Sequence, residues 1–533
     1  MKKKFIAMLL TGAMALSLAA CGGGGDTPDN GGGSNGGGSN GGTEGGSAPV
    51  ADNGETYNIK MQIVTFGQEF TGLADVENAI NAITEPEIGA TVTLEPIAAW
   101  DLPTTSSLAV TSNEKLDLMC ILPMSSGMDS ISNYSTKNML IELNELYATY
   151  GQDIAAVIGD LEKVGYVGGS LYAIPANYYA GSGGSFVALT SELEALGMEF
   201  DESKMYTLED VEELLKAYKD AKGDGYYSIA GFADGGVIGT IMPTDDLGDP
   251  AVGCLLGGGL TDTTVVNKYA TDEYYENAKK VRGYFEAGYI NPDVISITDT
   301  WVSLLQSGQY LGAFVGTNGV GGMDGILVNE QTVGQDLTVI RFIDDFATTS
   351  KASYGMWAIP VTCENPEKTM QFLNLLYQDR ELSQNVGAML STGLEGKTYK
   401  VVETLDDGRA IIDYADGVDR MSAPYSGQVP IYGNELKNPK FVPIDAEMFD
   451  QISNYNSTIQ YSKAFGYTFD ASAYGSQIAA INNVITQYRA LLDWGAVDVD
   501  STLPTFISEL EAAGINDVIA ANQEQLDAWL AQQ

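Results

Sequence analysis

The sequence contains no histidine, and 27 lysines and arginines stand against 71 aspartates and glutamates among 533 residues. The first lack excludes histidine-based nucleophilic triads and His-rich zinc sites. The second gives a formal charge of −44, which repels nucleic-acid phosphates and anionic headgroups, so no nucleic-acid partner is expected. Cysteine is scarce too, at four residues. Cys120, Cys254 and Cys363 are far apart and odd in number; buried free thiols are expected, and no disulfide pair can be selected from spacing. A hydrophobic share of 44 % with 18 % charged residues is globular composition, which excludes wholesale disorder.

Long apolar runs are also missing. The one candidate, residues 5–18, is too short to rest across a bilayer. It follows Lys2, Lys3 and Lys4 and ends in Leu18-Ala19-Ala20-Cys21. Small residues before a cysteine at the end of such a stretch resemble the bacterial lipoprotein processing signal. Residues 1–20 then read as a signal peptide and Cys21 as the lipidated first residue of the mature chain. Several acyl chains anchor durably where one is marginal. An ordinary secretory leader and a resident membrane helix are the alternatives. Residues 21–54 carry that cysteine and a Gly/Ser/Asn-rich tether that cannot form a core.

The folded part is expected from residue 55. Residues 57–64 and 90–96 read as strands, and 116–122 as a third, apolar enough to be covered on both faces. Residues 73–83 place Val76, Ile80 and Ile83 on one helical side. Alternating strands and helices predict an α/β sheet, whose ligands meet the loops beyond the strands' carboxyl ends. Those loops are Thr65-Phe66-Gly67-Gln68, Ala98-Ala99-Trp100 and Pro123-Met124-Ser125-Ser126. Further helices are predicted from Thr207, which with Asp210 makes a capping box, over 272–287 with Tyr275, Ala278, Val281 and Phe285 inward, over 301–305 and over 366–377. A strand is predicted over 310–315. The glycine loop 316–325 reads either as a close approach to a partner or as a series of turns. A hairpin turns at Asp406-Asp407-Gly408, and the chain ends in helices over 473–494, 503–512 (opened by Pro504) and 516–530.

Leu171-Tyr172-Ala173-Ile174-Pro175 and Met356-Trp357-Ala358-Ile359-Pro360 share a pattern. Chance similarity of two buried strands is one explanation. Paired crossings between two lobes, a hinge, is the other.

Four stretches carry a family resemblance. They are Asp75-Val76-Glu77-Asn78-Ala79-Ile80-Asn81-Ala82-Ile83-Thr84; Leu116-Asp117-Leu118-Met119; Gly393-Leu394-Glu395-Gly396-Lys397-Thr398-Tyr399; and the tail, from Gly466-Tyr467-Thr468-Phe469-Asp470 to Gln523-Glu524-Gln525-Leu526-Asp527-Ala528-Trp529-Leu530. On these the chain resembles extracellular solute-binding lipoproteins, family 1, of bacterial ABC importers, in the subgroup with a DUF3502-type C-terminal domain. The resemblance implies an α/β, periplasmic-binding-protein-like type II fold with two lobes, a hinge and a helical C-terminal extension. Lobe one is expected at 55–176 plus 358–420, and lobe two at 177–357 plus 421–533. It also implies a monomer on the extracellular face of the membrane, held by its lipid anchor. This would bind a small-molecule solute, foremost a neutral oligosaccharide, and serve a permease, with no enzymatic activity. A non-sugar solute such as a peptide, a glycoside-acting enzyme and a surface adhesin are the competing readings.

A sugar needs aromatic platforms with amides and carboxylates at the rim. Trp100, Tyr178, Tyr179, Trp301 and Trp357 are the candidate platforms; Gln68, Asn177, Asn318, Asp324 and Asn434 are the candidate hydrogen-bonding residues. Each has core packing or turn capping as its alternative. Trp494 and Trp529 are expected to pack. Some relatives carry an EF-hand-like calcium loop. Here Asp220-Ala221-Lys222-Gly223-Asp224-Gly225 begins one, but Lys222 stands at a ligand position and Gly231 where a bidentate glutamate is required. No metal and no cofactor are expected.

Overall fold

The computed structural model describes residues 56–122, 130–427 and 429–533. The leader, Cys21, the tether and the loop at 123–126 lie outside them.

Strand β1 (Tyr57–Thr65), helix α1 (Leu73–Ile88) and β2 (Ala90–Ala98) open the fold. β1 and β2 pair in parallel, with Tyr57 opposite Ala90 and Thr65 opposite Ala98. α1 buries Val76, Ile80 and Ile83, and it runs on to Gly89, whose left-handed backbone (φ 63°) ends it. After α2 (Leu102–Thr111), β3 (Met119–Ile121) continues the layer. Leu118 joins it to β1: Gln62 N donates to Leu118 O at 3.1 Å and Leu118 N to Lys60 O at 3.1 Å.

The chain then passes through β4 (Ala173–Pro175), β5 (Gly181–Leu189), α3 (Leu208–Lys222), β6 (Tyr227–Ile229), α4 (Asp272–Glu286), α5 (Trp301–Gln306), β7 (Tyr310–Thr317), α6 (Met323–Val333), β8 (Leu337–Ala347) and β9 (Met356–Ala358). The Thr207 capping box is present in full at α3. β9 lies between β3 and β4, antiparallel to both. The first layer therefore runs β2-β1-β3-β9-β4. A second, five-stranded sheet contains β8, β5, β7 and β6 in that order.

After α7 (Pro366–Leu375) come β10 (Tyr399–Thr404), β11 (Ala410–Tyr414), β12 (Lys440–Phe441), α8 (Ala446–Thr458) and β13 (Gln460–Tyr461), which closes the edge of the second sheet beside β8. Helices α9 (Gly475–Asp493), α10 (Val499–Ala512) and α11 (Ile515–Leu530) finish the chain. Two large apolar cores result. One joins Ile63, Ile80, Ile121, Ile174, Trp357 and Phe372. The other joins Phe186, Leu214, Val281, Leu311, Phe506 and Leu526. Trp494 and Trp529 pack in the second. Residues beyond 421, expected with lobe two alone, divide: Tyr425, Ile431 and Tyr432 enter the first core, and Ala464, Tyr467 and Leu526 the second. A smaller cluster of Tyr179, Met323, Ile411, Phe449 and Tyr455 lies at the junction.

Other expectations need correction. α4 buries Ala278 and Val281 as expected, but Tyr274 and Tyr284 are the buried rings, their hydroxyls donating to Asp493 and Glu212, while Tyr275 and Phe285 pack at the edge of the core. α10 begins at Val499, capped by Asp498, which accepts from Ser501 N at 2.9 Å; Pro504 lies inside it. Residues 386–392, for which no element is predicted above, are helical.

Two central strands, β5 and β8, are not among the expectations above, although β8 (Leu337–Ala347) has the β-branched and aromatic composition of a strand. β5 opens with Gly181-Ser182-Gly183-Gly184, a composition that reads as a loop. These glycines let backbones meet: a Cβ on Gly181 would lie 2.4 Å from Phe346 O, and one on Gly183 2.2 Å from Ile343 O. β8 bulges opposite them, between Arg341 and Ile343 and again before Phe346. Gly183→Ala is therefore expected to lower stability by roughly 1–3 kcal/mol through overpacking. Gly239→Ala, where nothing lies within 4 Å, is expected to be neutral or slightly stabilising. Urea unfolding midpoints of the two variants check the pair.

Candidate functional site

The chain leaves the first lobe between Pro175 and Gly181 and returns between Ala347 and Met356. The two similar motifs are neighbours: Trp357 pairs with Ile174 and Met356 with Pro175. Both passages between lobes start from one pair of hydrogen-bonded strands.

The carboxyl ends of β1 and β2 lead into neighbouring loops. Ala99 N donates to Thr65 O at 2.9 Å, which keeps the two strand-end loops together. Gly67 turns with φ +87°, and a side chain there would stand 3.6 Å from the Trp100 ring. Trp100 is 65 % exposed and Phe66 43 %; Gln68 is exposed beside them. The second lobe supplies the loop after β7. Asn318 Nδ2 donates to Gly181 O at 2.6 Å and Gly319 N to Asp345 Oδ2 at 2.6 Å. Positive φ at Gly319, Gly321 and Gly322 makes this loop a series of turns.

At the hinge, Asn177 Nδ2 donates to Asn434 Oδ1 at 2.8 Å, and Asn456 Nδ2 donates to Tyr178 O at 2.8 Å. A recess of ≈ 290 Å³ opens here, lined among others by Ile158, Asn177, Leu436, Asn456 and Tyr461. The Tyr178 and Tyr179 rings lie 4.7 Å apart. Tyr179 Oη donates to Asp324 Oδ1 at 2.7 Å, and Lys440 Nζ donates to Asp324 Oδ2 at 2.9 Å. Burial alone would raise the Asp324 carboxyl, but the Lys440 ammonium and the Tyr179 hydroxyl outweigh it, so its pKa lies below the ordinary value. Burial, followed by the Asp324 charge, raises the Tyr178 phenol well above its ordinary value, so it stays a donor.

The ten expected residues thus separate. Gln68 and Trp100 lie on neighbouring strand-end loops; Asn177, Asn434 and Tyr178 meet at the hinge; Asn318 is tied to Gly181 at the end of the same passage. Two platform choices, Trp357 and Tyr179, are corrected, and a third, Trp301, is partly buried. Trp357 is fully buried in β9, with Nε1 donating to Ile431 O at 2.8 Å. Tyr179 is buried against Tyr455. Trp301 packs on the cluster of Leu304, Leu305 and Val339. Asp324 spends its oxygens on Tyr179 and Lys440. Three exposed apolar or aromatic side chains were not among the sequence candidates: Phe66, Tyr354 (36 % exposed, on the passage before β9) and Met421 (78 % exposed). The first lay inside a loop already picked out as a strand end; the other two had no such signal.

Residues 78–391 match the model described as bacterial extracellular solute-binding protein, and residues 463–531 match the domain of unknown function DUF3502. The chain belongs to this solute-binding family. It is 27 % identical, over 99 % of its length and 98 % of the other, to a carbohydrate ABC transporter substrate-binding protein of Streptococcus pneumoniae serotype 4 (strain ATCC BAA-334 / TIGR4). Among solved structures it resembles the N-glycan transport solute binding protein NgtS of Streptococcus pneumoniae, with TM-score 0.73, 22 % identity and coverage of 89 % and 99 %. NgtS is also solved with Man1GlcNAc and with Man5GlcNAc. An extracellular solute-binding protein from Bifidobacterium longum subsp. infantis follows at TM-score 0.59, 13 % identity and coverage of 91 % and 100 %. FusA of Streptococcus pneumoniae with kestose follows at TM-score 0.59, 16 % identity and coverage of 90 % and 100 %. These likenesses show the fold, two lobes of mixed α/β structure with C-terminal helices.

In this solute-binding protein the turn after α3 does not gather oxygen ligands. Lys222 Nζ pairs with Glu192 at 2.8 Å, and Asp220 pairs with Lys216. Among the described residues no group of three or more Cys, Asp or Glu side chains is arranged to hold a metal.

The Lys440–Asp324 pair makes a sharp expectation. Lys440→Met leaves a largely buried carboxylate with one neutral donor, costing roughly 3 kcal/mol. A depressed carboxyl contributes stability that is present above about pH 3.9 and lost as pH falls through its folded pKa. In the variant the unpaired buried carboxyl is instead relieved by protonation, so its stability deficit against the wild type is expected to be full near neutral pH and to shrink in acid, as read by urea unfolding midpoints at about pH 7 and about pH 4.

Proposed function

We propose that this protein is the surface-anchored solute-binding component of an ABC importer, holding a neutral oligosaccharide between its lobes and delivering it to a membrane permease. The carrying observation is a pair of separately cored lobes joined at β4–β9, with the rings of Trp100 and Phe66 turned to solvent on the loops after β2 and β1. An aromatic face takes up the C–H face of a sugar, while amides and hydroxyls take its hydroxyl edge. Gln68, Asn177, Asn318, Asn434 and Tyr178 are assigned to that edge, with Tyr354 as a further ring. Asp324 is assigned to positioning Tyr179 and α6. The names of the carbohydrate-transporter relative and of NgtS and FusA with their glycans support a carbohydrate. The net charge of −44 favours an uncharged ligand over a polyanion. The role is binding without turnover, by a monomer anchored outside the cell through Cys21, with residues 22–54 as tether. Residues 57–176 with 356–432 form lobe one, and 181–347 with 464–530 lobe two.

Titration of intrinsic tryptophan fluorescence with Man1GlcNAc, Man5GlcNAc and kestose, with products followed by chromatography, tests the reading. A saturable change without new products is expected, and Trp100→Ala should weaken it about tenfold or more. Growth of products would replace it with an enzyme. Silence to these sugars together with a response to peptides would replace it with a peptide carrier. Cys21→Ala is expected to move the protein from the membrane fraction to the medium.

A further inference from the structure

Between β11 and the first core, residues 414–425 leave the body of the protein and come back. Their tip is a tight turn. The Asp419 carboxylate accepts from Met421 N at 3.0 Å, Ser422 N at 2.8 Å and Ser422 Oγ at 2.7 Å. A turn closed by its own side chain loses little further freedom on meeting a ligand.

This turn touches both lobes. On one side, Arg420 Nη1 donates to Val328 O at 3.2 Å and reaches Thr332 Oγ1 at 3.5 Å. Both acceptors are on α6, the helix that follows the second lobe's loop after β7. On the other side, Gly72 N donates to Pro424 O at 2.8 Å, and the rings of Phe70 and Tyr425 stand 5.0 Å apart. Gly72 and Phe70 directly follow the Phe66–Gln68 loop of the first lobe. The segment is therefore tied to the second lobe on the later turns of α6 and to the first lobe just after the Phe66–Gln68 loop. Met421, at the tip, is 78 % exposed. An unbranched thioether held outward on a rigid turn, with no core to fill, is available as a contact surface.

We propose that residues 419–425 form a bar across one end of the cleft, closing that end so that an oligosaccharide is recognised from a chain terminus, with Met421 against the terminal sugar. This rests on the carbohydrate reading. The tie between lobes is a property of the chain itself, and it can be tested without any sugar.

Two arms are needed. In the first, spin labels on Glu69→Cys and Gln331→Cys, both exposed, report the lobe-to-lobe distance in the ligand-free protein; the described native cysteines are buried. Adding Arg420→Ala should lengthen or broaden the distance distribution. An unchanged distribution overturns the bar. In the second, wild type and Met421→Ala are titrated with Man1GlcNAc and Man5GlcNAc. The variant should bind Man1GlcNAc about threefold to tenfold more weakly, while Man5GlcNAc loses less or gains. Equal loss for both, or no change, overturns terminal recognition. Absence of any sugar binding by the wild type defeats the carbohydrate reading and terminal recognition with it, while the first arm still decides the bar.

Discussion

Everything about the shape of this molecule depends on the antiparallel contact of β4 with β9. Ala173, Ile174 and Pro175 face Ala358, Trp357 and Met356, and all six are buried. From this pair the chain departs into the second lobe and returns from it. Two passages that start side by side define an axis, and two lobes with separate cores can turn about it with little loss of internal packing. Trp357 serves this frame. Its ring fills the first core, and its one donor is satisfied by Ile431, a residue of the segment that later runs along the junction.

The material between β10 and α8 belongs wholly to neither lobe. Tyr425 and Tyr432 are sunk in the first core, while Lys440 reaches across to Asp324 at the start of α6 and Asn456 holds the backbone at Tyr178 and Ala180. Rotation about the hinge must move past this layer. The amide pair of Asn177 and Asn434 lies at that meeting point, where a neutral hydrogen bond can break and re-form at modest cost, whereas the Asp324–Lys440 pair is expensive to separate.

What could be read from residue order alone follows from the range of the forces involved. Local signals read well: the Thr207 capping box, the apolar stripe of α1 and the turn at Asp406-Asp407-Gly408. Pattern identity between the two Ala-Ile-Pro motifs pointed to their pairing, which is a non-local fact. The start of β5 was invisible because its spacing is set by backbone contact across the sheet, and glycines that permit that closeness look like a linker. The strand-end loops that carry Trp100 and Gln68 were legible as loops because the strands before them read clearly. Trp357 was misjudged because a three-residue strand covered on both faces leaves no alternation to read. Met421 owes its position to contacts made from distant parts of the chain.

The second core also has a temporal consequence. Its strands come from residues 181–347, yet Phe506, Ile515, Val518 and Leu526 are buried among Leu214, Val281 and Leu311. A chain made from the amino terminus exposes those earlier side chains for as long as the last helices are still unmade. Contacts this far apart in sequence form late and slowly, and half-built apolar surfaces attract one another. The newborn protein is thus most vulnerable just before its final residues arrive, and whatever shields a nascent chain has the most to do there.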